Sequence, residues 1–212
     1  MLKLNSFNKD HHNHELGICI ASLQPKSYDD VVYKLKELSS LTKFDFIEGI
    51  NDREIMLGLI KDYPCYTLGS LIRRTDIDIV EQFMNACYLA KELNIKYLMF
   101  GNRKVREYVA EGKYKLNLQQ LYTGMFGVCS HLGLELMFEP LKGTYPGTLE
   151  EVVKLQEQYG EKDLHLCLKN TEINHDNIYK YIDRVKNCHI SFELYLKYYK
   201  ELKNLKRFTL EI

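Results

Sequence analysis

Short apolar runs that end in a charge or a glycine recur along the chain, and each is followed by a polar stretch opening an amphipathic helix. Residues 16–23 form the first run, closing near Pro25, and Ser27 to Asp30 makes a capping box for a helix to about residue 39. Residues 44–50 alternate and end in Glu48-Gly49, before a second box from Asn51 to Glu54 and a helix to about residue 62. A third strand lies within 63–72. Thr75 to Asp78 then caps a long helix with one apolar stripe of Val80, Phe83, Met84, Cys87 and Ala90. Residues 96–100 are the fourth strand, and a polar excursion over 103–113, a loop or a short extra helix, precedes a helix at 116–132 that stops at Gly133. Residues 134–138 form strand five, with its helix over 148–159 and a stop at Gly160. Strand six is read at 164–168, a helix at 175–187, strand seven at 188–192, a helix at 194–202 and strand eight at 207–212.

Eight strands alternating with seven helices through short connections call for a parallel sheet with right-handed crossovers. The count predicts one domain over residues 1–212, an α/β protein of the (β/α)₈ TIM-barrel type, minimal in size and lacking the terminal helix. Without that helix, the outer faces of strand eight and its neighbours are expected to be exposed. An apolar patch of that size predicts a homodimer with helix one, helix seven or the strand-eight edge in the interface, the alternative cover being the segment before Leu16.

Composition narrows the function. Lysine plus arginine and aspartate plus glutamate balance at 29 each, so there is no overall basic field to hold nucleic acid. No segment approaches the roughly 18 apolar residues of a membrane helix, and the expectation is a soluble, cytoplasmic protein without membrane partners. The six cysteines, Cys19, Cys65, Cys87, Cys129, Cys167 and Cys188, contain no CxxC pair and read as reduced core residues.

Candidate chemistry starts at Glu139-Pro140. A carboxylate at the carboxyl end of a hydrophobic strand is costly to bury, which points to a site instead of a core. The segments Leu134-Glu-Leu-Met-Phe-Glu139-Pro140, Gly147-Thr148-Leu-Glu-Glu151 and Leu164-His-Leu-Cys-Leu168 resemble the xylose isomerase-like barrels, the superfamily of sugar-phosphate isomerases and epimerases and of the endonuclease IV group. The resemblance implies a divalent metal (zinc, manganese or magnesium) held by a glutamate after strand five, an aspartate after strand six, a histidine and a glutamate after strand eight. Carried over, Glu139 takes the first position, Glu211 the last, and His189 the histidine position. Strand six departs: Lys169 stands where the aspartate is expected and Glu172 where a histidine commonly follows. An ammonium within about 4 Å of a divalent ion costs several kcal/mol even at an effective dielectric near 20. The expectation is therefore no bound cofactor, with a divalent metal as the alternative.

Lys169 has two readings, a salt bridge that neutralises Glu139 or a catalytic amine able to donate a proton or form a Schiff base. Glu48 and Arg73 are the substrate-binding candidates, each with an alternative as a solvated surface charge. His189 is a site residue or a strand histidine satisfied by backbone, and His11, His12 and His14 are a polar end in preference to a chelate. The leading function is a sugar or sugar-phosphate isomerase or epimerase acting on a small carbohydrate-like ligand. Glu139 and Glu211 serve as the acid/base pair, His189 orients a substrate oxygen, and Lys169 replaces the metal's charge. The runner-up is a catalytically degenerate barrel that binds a metabolite or a partner without turnover. Nuclease action needs a histidine and carboxylate metal cluster and a basic groove, and the sequence has neither.

Overall fold

The first and last strands of the chain lie side by side. In the computed structural model, which describes residues 14–41, 43–167, 180–198 and 205–212, β1 (Glu15–Cys19) pairs in parallel with β8 (Arg207–Glu211). On its other edge β1 pairs with β2 (Phe46–Ile50), and the ladder continues through β3 (Cys65–Gly69), β4 (Tyr97–Phe100) and β5 (Glu135–Phe138). From β8 it runs through β7 (Val185–Ser191) to β6 (Leu164–Cys167). All eight strands are parallel, in the order β5-β4-β3-β2-β1-β8-β7-β6, so the sheet curls into a nearly closed α/β barrel.

The helices among the described residues are α1 (Tyr28–Leu41), α2 (Arg53–Leu59), α3 (Ile79–Glu92), α4 (Arg103–Ala110), α5 (Leu118–Leu132), α6 (Leu149–Gln158) and α7 (Phe192–Tyr198). Local chemistry sets their ends. Asn117 and Thr148 form reciprocal capping boxes with Gln120 and Glu151, and Gly133 stops α5 at φ 66°. Several boundaries differ from the sequence reading. Residues 20–23 turn into a 3₁₀ helix instead of extending β1. Asp52, not Asn51, caps α2, because the Asn51 amide donates to the carbonyls of Leu71 and Gln82. The buried residues of α3 are Ile79, Phe83, Ala86, Cys87, Leu89 and Ala90, with Val80 exposed, because Ile79, four positions before Phe83, takes the core-facing place in the first turn. The polar excursion contains a true helix, α4. The helix expected over 175–187 does not reach its end, because Val185, Lys186 and Asn187 already belong to β7; its first part, residues 175–179, lies outside the described residues.

No backbone ladder joins β5 to β6 among the described residues, although the two strands are neighbours. Side chains occupy the seam. Gln156 of α6, fully buried, accepts from the Phe138 amide at 3.3 Å and donates to the Asp163 carbonyl at 2.7 Å, and the Leu136 amide hydrogen-bonds the Glu161 carboxylate. The outer face of β8 is covered within the chain: Phe208 is 0 % and Leu210 2 % exposed, with the rings of Tyr195 and His14 each 5.2 Å from Phe208. The exposed strand-eight face expected from the sequence is thus absent among the described residues. None of the described helices is long and apolar enough to cross a membrane.

Candidate functional site

Strand alternation sends one side chain per strand toward the carboxyl end of the barrel. There, Cys19, Glu48, Met99, Glu139, His189 and Glu211 line a cavity of about 680 Å³, walled further by Ser70–Arg73 and Gly101–Lys104. Glu48 and His189 are almost completely buried, at 1 % and 2 % exposed, Glu139 is buried at 7 %, and Glu211 is half-buried.

His189 is the hub. Its Nε2 donates to Glu48 Oε2 at 2.5 Å, and its Nδ1 lies 3.4 Å from Glu211 Oε1. Burial alone would depress the imidazolium, but the Glu48 charge and hydrogen bonds to Cys167, Glu211 and Glu48 outweigh it and hold the group well above its ordinary value. Glu48 is itself held. Asn187 Nδ2 donates to its Oε2 at 3.3 Å, Thr209 Oγ1 donates to Asn187 Oδ1 at 2.9 Å, and the Cys19 thiol donates to Oε1 at 3.7 Å. Below this layer, His165 is fully buried with its ring edge-on to His189 at 4.5 Å, and neither of its nitrogens has a hydrogen-bond partner among the described residues. Burial and the neighbouring His189 charge push His165 well below the usual histidine range, so it is neutral.

On the other flank, Cys167 at the end of β6 hydrogen-bonds both His189 and Glu139, and burial raises its thiol to about 11. Glu139 owes its place to two residues. A side chain at Gly101 would put its Cβ 1.9 Å from Glu139 Oε2, so only glycine leaves room for the carboxylate to pass. The guanidinium of Arg106, on α4, is fully buried between the rings of Phe100 and Phe138. It donates to the carbonyls of Phe100 (2.7 Å), Glu139 (2.8 Å) and Pro146 (2.9 Å), tying the ends of β4 and β5 to the loop that follows. Desolvation lowers its pKa, while the Tyr122 and Glu139 charges act the other way.

The structure therefore brings Glu139, His189 and Glu211 together and adds Glu48 to the same cluster, buried beneath His189. Arg73 stands on the cavity wall, about half exposed and 3.5 Å from Asp52. Lys169 and Glu172, and His11 and His12, lie outside the described residues. His14 donates from Nδ1 to the Leu205 carbonyl at 2.6 Å, far from the cavity lining. Sequence reasoning missed Cys19, Cys167, Asn187, Thr209 and Arg106. For the strand residues, a signal was present in the period of two: Cys167 is two positions from His165, and Asn187 two from His189, on the inward face.

Ligand atoms of two triplets, Cys19/Glu48/His189 and Cys167/His189/Glu211, lie within 4.8 Å of one another in each case. A divalent cation fits the second better. Glu48 already occupies Nε2 of His189 and fixes the ring, which turns Nδ1 toward Glu211, and Cys167 hydrogen-bonds the same ring.

No family model and no curated protein matches the chain. Among solved structures, it is similar to a D-allulose 3-epimerase from Methylomonas sp., with a TM-score of 0.59 and 16 % identity, covering 93 % of this chain and 84 % of that one. An IOLI protein with a bound zinc atom gives 0.59 and 14 %, over 93 % and 88 %. A sugar phosphate isomerase/epimerase from Parabacteroides distasonis gives 0.58 and 13 %, over 94 % and 90 %. At these identities the likeness speaks for the backbone, and the strand order and element sequence agree with it: this chain has the fold of the xylose isomerase-like TIM barrels.

Proposed function

We propose that the protein is a sugar or sugar-phosphate isomerase or epimerase that moves a proton at the carbon next to a carbonyl. The observation that carries this reading is the convergence of Glu139, His189 and Glu211 on one cavity at the carboxyl end of the barrel. Glu139 from β5 and Glu211 from β8 approach it from separate strands, so one carboxylate can accept the proton while the other returns it. With no cation bound, the His189 imidazolium, held charged by Glu48, orients the substrate oxygen on which negative charge develops. The apolar wall of Met99, Ile50 and Leu71 excludes water from that oxygen, and Arg73 at the rim is placed to hold the far end of an extended substrate. The resemblance read in the sequence implies a divalent cation here. Cys167, His189, Glu211 and the adjoining Glu139 are the residues that would hold it, and when bound it would polarise the substrate's carbonyl and hydroxyl oxygens. Lys169, outside the described residues, is the alternative source of that positive charge.

The test is solvent deuterium exchange, followed by proton NMR with a panel of ketoses, aldoses and their phosphates. Exchange at the carbon beside the carbonyl, lost in Glu139→Gln, is the expected result. Ligands that bind without any exchange would instead support a barrel that holds a metabolite without turnover.

A further inference from the structure

We infer that Cys167, together with His189 and Glu211, makes the cavity a site for a thiophilic divalent cation of the zinc class, and a poor one for magnesium. The inference rests on the donors and stands whether or not the reaction proposed above is the right one.

The donor that β6 presents among the described residues is sulfur. Strand alternation turns Cys167 inward, where it hydrogen-bonds His189 on one side and Glu139 on the other. Its Sγ, a ring nitrogen of His189 and a carboxylate oxygen of Glu211 lie within 4.8 Å of one another. Around a tetrahedral zinc, bonds of about 2.0–2.3 Å put the donors roughly 3.5 Å apart, so the cluster need contract by only about 1 Å. A thiolate, an imidazole and a carboxylate form a mixed set in which the sulfur decides the choice of metal, because soft ligands favour zinc and hard, oxygen-only cages favour magnesium. Three protein ligands with a fourth position facing a cavity is also the arrangement that catalytic zinc sites keep.

The surroundings of His189 support the same assignment. A ligating histidine characteristically donates its other N–H to a carboxylate, which fixes the tautomer and the ring plane. Here Nε2 does so to Glu48 at 2.5 Å, and Glu48 is held in turn by Asn187 at 3.3 Å and, through it, by Thr209 at 2.9 Å. This chain of bonds leaves Nδ1 as the nitrogen directed at Glu211, 3.4 Å away. Binding then replaces the thiol proton of Cys167 and the Nδ1 proton of the imidazolium with one cation, and two protons pass to the buffer. The lysine-based expectation of an empty site depends on Lys169 approaching the same point, so the two readings make opposite predictions.

The experiment uses the full chain, stripped with a chelator and titrated with cobalt(II) as a spectroscopic stand-in for zinc. We expect saturation at about one cobalt per chain with a near-ultraviolet sulfur-to-cobalt charge-transfer band, displaced by zinc and unaffected by excess magnesium. Cys167→Ser should abolish the band and weaken cobalt binding at least ~10-fold, while Cys19→Ser keeps it. Glu48→Gln should retain the band with affinity reduced ~10- to 100-fold. Should Cys167→Ser fail to fold, cadmium NMR of the unmodified protein reads thiolate ligation directly from the metal's chemical shift. No band in the unmodified protein, a band that persists in Cys167→Ser, or cobalt displaced by magnesium overturns the inference. A missing band beside retained deuterium exchange removes the thiolate site and leaves the proton-transfer reading intact.

Discussion

Replacing Arg106 by methionine should disturb the protein less than replacing it by lysine, although lysine keeps the charge. The guanidinium is fully buried, its Nε has no partner among the described residues, and its other nitrogens bond carbonyls and the Thr144 hydroxyl. Methionine keeps an apolar stem between Phe100 and Phe138 and removes the cation. Two of the three carbonyls then retain another donor, since Phe100 accepts from the Glu139 amide at 3.1 Å and Pro146 from the Leu141 amide at 3.2 Å. The loss is centred on the 2.8 Å bond to the Glu139 carbonyl, about 1–3 kcal/mol, partly offset by relief of the buried charge. A lysine ammonium lacks the planar fork that spans three carbonyls, so Arg106→Lys leaves a buried cation with fewer bonds, at about 3–5 kcal/mol. Urea unfolding followed by circular dichroism at neutral pH, with unchanged m-values, gives both numbers. The lysine variant should also gain stability as pH rises, because a buried amine with a depressed pKa is tolerated best once it has lost its proton. A lysine variant more stable than the methionine variant would refute the view that geometry, and not charge, is what Arg106 contributes.

Gly101→Ala should push the Glu139 carboxylate back by roughly 1 Å and cut deuterium exchange about 100-fold with little change in melting temperature; unchanged exchange would show that Glu139 does not act from this position. Gln156→Leu leaves the Phe138 amide and the Asp163 carbonyl without their seam partner and should cost about 2–4 kcal/mol in urea unfolding, a loss below about 1 kcal/mol counting against the seam's importance. The two buried histidines act on opposite sides of the unfolded histidine pKa near 6.5. His189, raised in the folded state, contributes stability that is present below about pH 6.5 and lost as pH rises through its folded value. His165, depressed, contributes stability present above about pH 6.5 and lost as pH falls from there, with a limiting slope of about 1.4 kcal/mol per pH unit for one proton. His165→Gln should therefore flatten the decline of the urea midpoint just below pH 6.5, and an unchanged acid limb would contradict a neutral His165.

The barrel was legible because each of its strands is an apolar run closed by a turn or a cap, a local pattern that needs no knowledge of distant contacts. Glu139 was legible for a related reason, since a charged group at the end of such a run has few structural explanations, whereas Glu211 and His189 were singled out only through the resemblance to the xylose isomerase-like barrels. Cys167 was passed over because a lone cysteine in an apolar strand reads as core, and its period-two offset from His165 becomes informative only once the inward face is known. Arg106 was hidden in a charged stretch, Arg103-Lys-Val-Arg-Glu107, whose pattern reads as solvent-facing. It shares a helix face with Val105 and Val109, and only the carbonyls of three separate segments make its burial intelligible. The boundary errors have the same origin: Asn51 reads as a cap until Leu71 and Gln82 claim its amide.

The seam between β5 and β6 has a mechanical meaning for the protein as a whole. A barrel closed by ladders on every side can widen only by breaking backbone pairs. Among the described residues, this one meets itself across a line bridged by Gln156 and Glu161, where side-chain hydrogen bonds stand in for backbone pairs. The amides of Leu136 and Phe138 should accordingly exchange with solvent faster than those of the β1–β8 pair, where the ladder is continuous. At the mouth, the strands on either side of that line carry Glu139 and Cys167. Breathing of the cylinder is thereby directed to the point where the proposed proton acceptor and the proposed metal-binding sulfur face each other, and a joint without backbone pairs among the described residues becomes one that can adjust the site's width.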